Sequence, residues 1–224
     1  MSGIAKKLGS ALPRHLLPTT QAVKRMITRF ADEYGLVYFG YVSQRSDDHH
    51  IVRGLTVSTK HIDDHYCIGT YDNYDVVFVE RRDSIQGKEH VWHIMEFDLK
   101  TDKDIPHTFI GSGTHGKGFH ELLSTKYGNL VPTQLGLTRD YLERFKDNFK
   151  LYVSAEHAVT IETVITPEAA EIIATHFKGL VVEITDQALY LYSEKSHLTP
   201  ELLEAMLKNG TWLARTIDIN SRSL

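Results

Sequence analysis

The same helix entry is written twice in the second half of this chain, as Thr166-Pro167-Glu168 and as Thr199-Pro200-Glu201. In each, threonine offers a side-chain oxygen to the orphan N–H groups of a first turn. Proline takes the position whose missing N–H costs nothing, and glutamate meets the positive end of the helix dipole. An amphipathic run follows each entry, Ala169 to Phe177 and Leu202 to Ile217. Two strand-like runs precede each: Leu151 to Ala155 with Thr160 to Ile165, then Leu180 to Thr185 with Ala188 to Ser193. The order β-β-α-β-β-α favours antiparallel hairpins over parallel crossovers. It predicts an α+β fold, a mixed, mainly antiparallel sheet with helices packed on one face. Gly210 is predicted to break or kink the last helix. Few residues match between the two units, and an internal repeat stays an open reading.

The first half follows the same logic with different elements. Ala22, Val23, Met26, Ile27, Phe30, Ala31 and Tyr34 recur at helical spacing, and Gly35 stands where a left-handed residue ends a helix. Leu36 to Ser43 and Ile51 to Ser58 read as strands on either side of the polar stretch Gln44 to His50. Tyr66 to Thr70 and Tyr74 to Glu80 flank Tyr71-Asp72-Asn73 and read as a hairpin, and Val91 to Leu99 as a further strand. Thr108 to Ile110 reads as a strand and Phe119 to Tyr127 as a helix. Pro132 and Gly136 interrupt the pattern, after which Thr138 is predicted to cap a short helix running through Phe145. The organisation read from this is a basic arm (1–18), an N-terminal α+β subdomain (19–137) and a C-terminal β-β-α-β-β-α unit (138–224). The last two are either separate subdomains or two halves of one sheet.

Composition narrows the function classes. With 224 residues and 42% apolar side chains the chain can bury a full core. Cys67 is the one cysteine, so an intrachain disulfide is excluded and a reducing, cytoplasmic setting is expected. No stretch reaches the roughly 20 apolar residues of a membrane span, and residues 1–17 lack the apolar core of a signal peptide. The net charge of −4 is uneven: Lys6, Lys7, Arg14, Lys24, Arg25 and Arg29 face no acidic residue before Asp32. This arm is read as solvated or docked on the acidic body, with at most weak peripheral membrane contact through residues 1–17. Basic residues do not interleave with aromatics, which leaves nucleic acid without a signal and a protein of unknown identity as the open partner.

Three groups of residues carry candidate chemistry. Gly111-Ser112-Gly113-Thr114-His115-Gly116-Lys117, followed by Gly118, matches a phosphate-binding loop except at its last position, where the hydroxyl that would hold magnesium is missing. Looser anion binding by the loop N–H groups and an ordinary glycine-rich connection are the other readings. Nine of the 13 histidines fall between His49 and His120, most tightly in His61-Ile62-Asp63-Asp64-His65-Tyr66-Cys67. His61 and His65 are the candidate metal ligands, although a turn at the aspartates would separate them and spacing fixes no third ligand. Glu96 and Asp98 form an i, i+2 carboxylate pair, best read as a solvated strand face. His93 alternates with Val91, Met95 and Phe97 and reads as a core histidine, while Cys67 reads as a buried, inert thiol. No cofactor and no catalytic residue is assigned.

Phe149-Lys150-Leu151-Tyr152-Val153, Ile165-Thr166-Pro167-Glu168, Val182-Glu183-Ile184 and Leu189-Tyr190-Leu191-Tyr192 together resemble an uncharacterised family of bacterial domains. Members of that family often carry N-terminal membrane helices. Ile68-Gly69-Thr70-Tyr71 before Val76-Val77-Phe78 is similar to that family's glycine-containing hairpin. The resemblance implies a bacterial source and no particular activity. The resulting expectation is a non-catalytic binding or scaffolding module, with a phosphate- or nucleotide-binding enzyme or sensor using Gly111 to Lys117 as the alternative.

Overall fold

The computed structural model describes residues 18–42, 52–56, 61–85, 88–112, 119, 123, 125–133, 135–185, 187–194 and 197–224. Helix α1 (Pro18–Tyr34) turns Ile27, Phe30 and Ala31 inward. It stops at Gly35, whose φ of 72° lets the Leu36 N–H reach back to the Ala31 carbonyl at 2.8 Å. The chain then lays down β1 (Val37–Gly40), β2 (Ile62–Tyr71), β3 (Tyr74–Ile85) and β4 (Lys88–Asp98) as a meander. Asp72 and Asn73 close the β2–β3 hairpin with φ of 49° and 67°, the left-handed pair that a two-residue turn requires.

Strands β5 (Thr108–Ser112), β6 (Val131–Thr133), β7 (Phe149–Val153), β8 (Val181–Thr185) and β9 (Ala188–Ser193) extend the same sheet. Its order is β1-β2-β3-β4-β9-β8-β5-β7-β6, and every pairing is antiparallel. The predicted α+β class with an antiparallel sheet is therefore the observed one. Segments 19–137 and 138–224 share this sheet, through the β4–β9 pairing and through β5, which lies between β8 and β7.

Among the described residues five helices cover one face, while the helical residues Phe119 and Leu123 pack on the other. Helices α2 (Glu143–Asn148), α3 (Ala158–Val164), α4 (Pro167–His176) and α5 (Pro200–Asn220) join α1 over Phe78, Met95, Phe97, Val182 and Leu191. Both threonine caps form, Thr166 accepting from the Ala169 N–H and Thr199 from the Leu202 N–H. The alternate residues, Trp92, Ile94, Tyr190 and Tyr192, point to the opposite face and pack with Val52, Leu55, Phe109 and Phe119.

Four local readings change. Residues 160–164 belong to helix α3 and Ile165 is its C-cap, so no strand forms there: Ile161, Val164 and Ile165 are fully buried, and that packing overrides their β-branched character. Thr138 caps no helix; its N–H and hydroxyl both bind Glu162, which also accepts from the Gly136 and Leu137 N–H groups. Gly210 does not interrupt α5. It lets the helix ride against Phe97, whose ring would lie 2.2 Å from an added Cβ. Residues 52–56, finally, form bends and turns where a strand was read, while Ile51, Val57 and Ser58 lie outside the described residues.

Candidate functional site

The 52–56 segment leads to the most heavily charged part of the interior. Antiparallel register sets Asp63 of β2 opposite Arg81 of β3 on the face away from the helices. Arg81 is fully buried and makes a two-pronged bond to Asp63, from Nε to Oδ1 and from Nη2 to Oδ2, each at 2.7 Å. Its remaining donors reach the segment above: Nη2 to the Val52 carbonyl at 2.6 Å and Nη1 to Thr56 Oγ1 at 3.0 Å. Tyr66 donates its hydroxyl to Asp63 Oδ2 at 3.0 Å, and His61 Nε2 lies 3.7 Å from the same oxygen. An aliphatic side chain at 81 would take the opposite charge from a buried carboxylate and the donors from the Val52 carbonyl and the Thr56 hydroxyl.

A second anchor comes from β8. Glu183 is fully buried, and its Oε2 accepts from the Leu55 N–H at 2.8 Å and from the Tyr192 hydroxyl at 2.5 Å. Burial and the neighbouring Glu183 charge hold the Tyr192 phenol far above its ordinary range, so it stays a proton donor. The Leu55 carbonyl takes Lys126 Nζ at 2.7 Å. Between these anchors Gly54 adopts φ 92°, and a Cβ there would lie 2.0 Å from the Tyr192 oxygen. The segment thus lies on the sheet without a ladder of its own. Side chains of the sheet satisfy its backbone, and Val52 and Leu55 seal the apolar patch beneath.

Glu183 also reaches the surface. Its Oε1 lies 2.8 Å from Nε2 of His107, a side chain that is 27% exposed and packs edge-on against Tyr127 at 4.6 Å. His107 opens onto a polar pocket of about 650 Å³, bordered by the 102–106 loop and by Asn129, Ser154 and His157. There Ser154 Oγ is 2.7 Å from His157 Nδ1, and Glu156 Oε1 is 3.7 Å from that same nitrogen. A hydrolytic triad places hydroxyl and carboxylate on opposite ring nitrogens. Here both sit on one, so proton transfer through the ring has no relay. The pocket can bind and orient a polar ligand, with His107 as a fixed hydrogen-bonding group on its wall.

No family model and no curated protein matches the sequence. The fold has a solved counterpart. The crystal structure of the mycobacterial trehalose monomycolate transport factor A, TtfA, superposes with a TM-score of 0.60 over 91% of this chain and 97% of that one. Identity is 10%, so what this chain shares with TtfA is the fold alone.

Of the candidate site residues read from the sequence, only His61 borders the Arg81 anchor, although its neighbours Asp63 and Tyr66 in the same stretch form part of it. Gly111 and Ser112 are buried strand residues of β5, and Gly113 to Lys117 lie outside the described residues. His61 faces Asp63, whereas His65 Nδ1 pairs with the Tyr38 hydroxyl at 2.8 Å and has φ 59° beside a bulge in β2. Burial lowers the His65 pKa against the opposing charges of Asp64 and Glu80. Among the described residues no group of three or more His, Cys, Asp or Glu is placed to hold a metal ion. His93 is buried, with Nε2 3.7 Å from Glu80, whose carboxyl the His93 and Arg82 contacts pull down to about 2 against the effect of burial. Cys67 is buried, and burial pushes its thiol up to about 12. Glu96 departs from the solvated reading: burial, and then the Asp98 charge, push it up to about 7, and one of its oxygens is buried without a partner.

Proposed function

We propose that this chain is a non-catalytic binding module that serves glycolipid transport, the task that the name of TtfA states for that protein. The observation that supports this most is the use of buried charge. Arg81, Asp63 and Glu183 are all engaged in holding the 52–56 segment on the sheet. The hydroxyl–imidazole pair at Ser154 and His157 lacks the geometry of a nucleophile with its relay. What the molecule offers a ligand is a polar pocket and a rigid wall. The near full-length likeness to a transport factor supports the setting.

The test is native mass spectrometry of the full chain with trehalose monopalmitate, a soluble single-chain glycolipid. A one-to-one complex is expected. Absence of any complex at ligand concentrations that give full occupancy of a control lipid-binding protein would remove glycolipid transport from the reading.

A further inference from the structure

We propose that the pocket beside His107 binds an uncharged carbohydrate, the headgroup end of the ligand in the reading above, on which this inference rests. The volume of about 650 Å³ falls within the span of small-molecule sites, about 300–1,000 Å³, and admits one or two sugar rings. The chemistry of the wall then selects among ligands of that size.

Asp102, Asp104 and Glu156 bring three carboxylates against one permanent cation, Lys103, and the two imidazoles of the lining, His107 and His157, each lie beside a carboxylate already, so a phosphate, nucleotide or carboxylate ligand meets repulsion. Nor do the carboxylates form a cation cage, since among the described residues no trio of ligating side chains converges. What carboxylates and amides accept or donate to without opposite charge is hydroxyl. Asn129 and Gln187 add side chains that both donate and accept, and Ser154 adds a hydroxyl. Leu130 and Pro106 supply apolar wall for the C–H face of a ring.

The floor of the pocket is built before any ligand arrives. Nε2 of His107 is held 2.8 Å from Glu183, a carboxylate with no exposure, which is in turn held by Tyr192 and by the Leu55 N–H. A ligand hydroxyl meeting His107 thus meets a ring whose orientation is already set, and little ordering cost remains for that contact.

The experiment uses the full chain and follows amide NMR shifts and melting temperature on titration with trehalose, with sodium phosphate and spermidine as separate arms. Trehalose is expected to give saturable shifts at residues around His107. A variant with Asp104→Ala and Asn129→Ala, both exposed positions, should bind about tenfold or more weakly, the loss of one or two ligand hydrogen bonds. Arg25→Ala on the far side in α1 should bind as the wild type does. Saturable binding of phosphate or spermidine at these residues with none of trehalose would overturn the carbohydrate assignment. If trehalose monopalmitate binds but neither free trehalose nor the double variant shows any effect, the pocket inference fails and the binding-module reading stands. If trehalose binds at the pocket but the glycolipid does not, the pocket stands and glycolipid transport fails. Binding of neither overturns both.

Discussion

Replacing Arg81 with methionine tests the physical account of the buried charge most severely. The substitution keeps an unbranched side chain of similar length and removes one charge. It leaves Asp63, only 4% exposed, without the guanidinium that Tyr66 and His61 cannot replace, and it leaves the Val52 carbonyl without its 2.6 Å donor. Removing one partner of a buried ion pair costs about 3–5 kcal/mol, because the other charge stays buried without compensation. That is a large part of the roughly 5–15 kcal/mol by which domains are stable. Arg81→Lys keeps the charge and loses the fork that matches the carboxylate, and it should fall between wild type and methionine. The double change Arg81→Met with Asp63→Leu removes both charges and should recover part of the loss. A residual of about 1–3 kcal/mol is expected for the Val52 and Thr56 groups left unpaired. Urea unfolding followed by far-UV circular dichroism and by tryptophan fluorescence, to which Trp92 on this face and Trp212 on the other contribute, measures all four proteins. A methionine variant within about 1 kcal/mol of wild type, or a double variant less stable than the single one, would refute the reasoning.

Gly54→Ala should lower the urea midpoint by the equivalent of about 1–3 kcal/mol, because a Cβ would lie 2.0 Å from the Tyr192 oxygen and the backbone is left-handed; an unchanged midpoint would contradict the packing described. Glu96, pushed up to about 7 from 4.5 by burial and by Asp98, with Tyr190, Arg81 and Arg53 pulling the other way, holds its proton more tightly folded than unfolded. Its contribution is therefore fully present below pH 4.5 and lost as pH rises through 7. Glu96→Gln should then gain up to about 3 kcal/mol on the wild type between pH 4.5 and pH 8, and a pH-independent difference would show that the carboxyl is not perturbed. For the glycine-rich loop, Lys117→Ala should leave folding intact and abolish any phosphate-dependent rise in melting temperature. A rise that survives the substitution removes Lys117 from anion binding.

The sequence revealed elements wherever local chemistry decided them. Threonine at the caps of α4 and α5, Gly35 at the end of α1 and the Asp72-Asn73 turn act over a few residues, and each does what its side chain or backbone dictates. Helix α3 is not legible locally, because Thr160 to Val164 is largely β-branched while its burial against the core depends on residues far away in the chain. The anchors were harder still. Arg81 and Asp63 are brought opposite by β-sheet register, and Glu183 meets Leu55 across most of the chain, so no spacing in the sequence marks them. Gly54 was the one local sign that residues 52–56 would not continue as a strand, since a glycine inside a strand pattern often marks a close backbone approach. The separation of His61 from His65, expected from a turn at the aspartates, has another local cause: β2 runs on with a bulge between Asp64 and Cys67, and the two histidines meet different partners.

The function proposed for this chain is binding without turnover. It is tested most directly by incubating the full chain with an equimolar amount of trehalose monopalmitate, separating the protein by gel filtration and identifying the ligand by mass spectrometry. The account predicts that intact glycolipid travels with the protein and that neither free palmitate nor free trehalose accumulates with time. Steady release of palmitate, abolished by Ser154→Ala or His157→Ala, would contradict it and make the pocket a hydrolytic site.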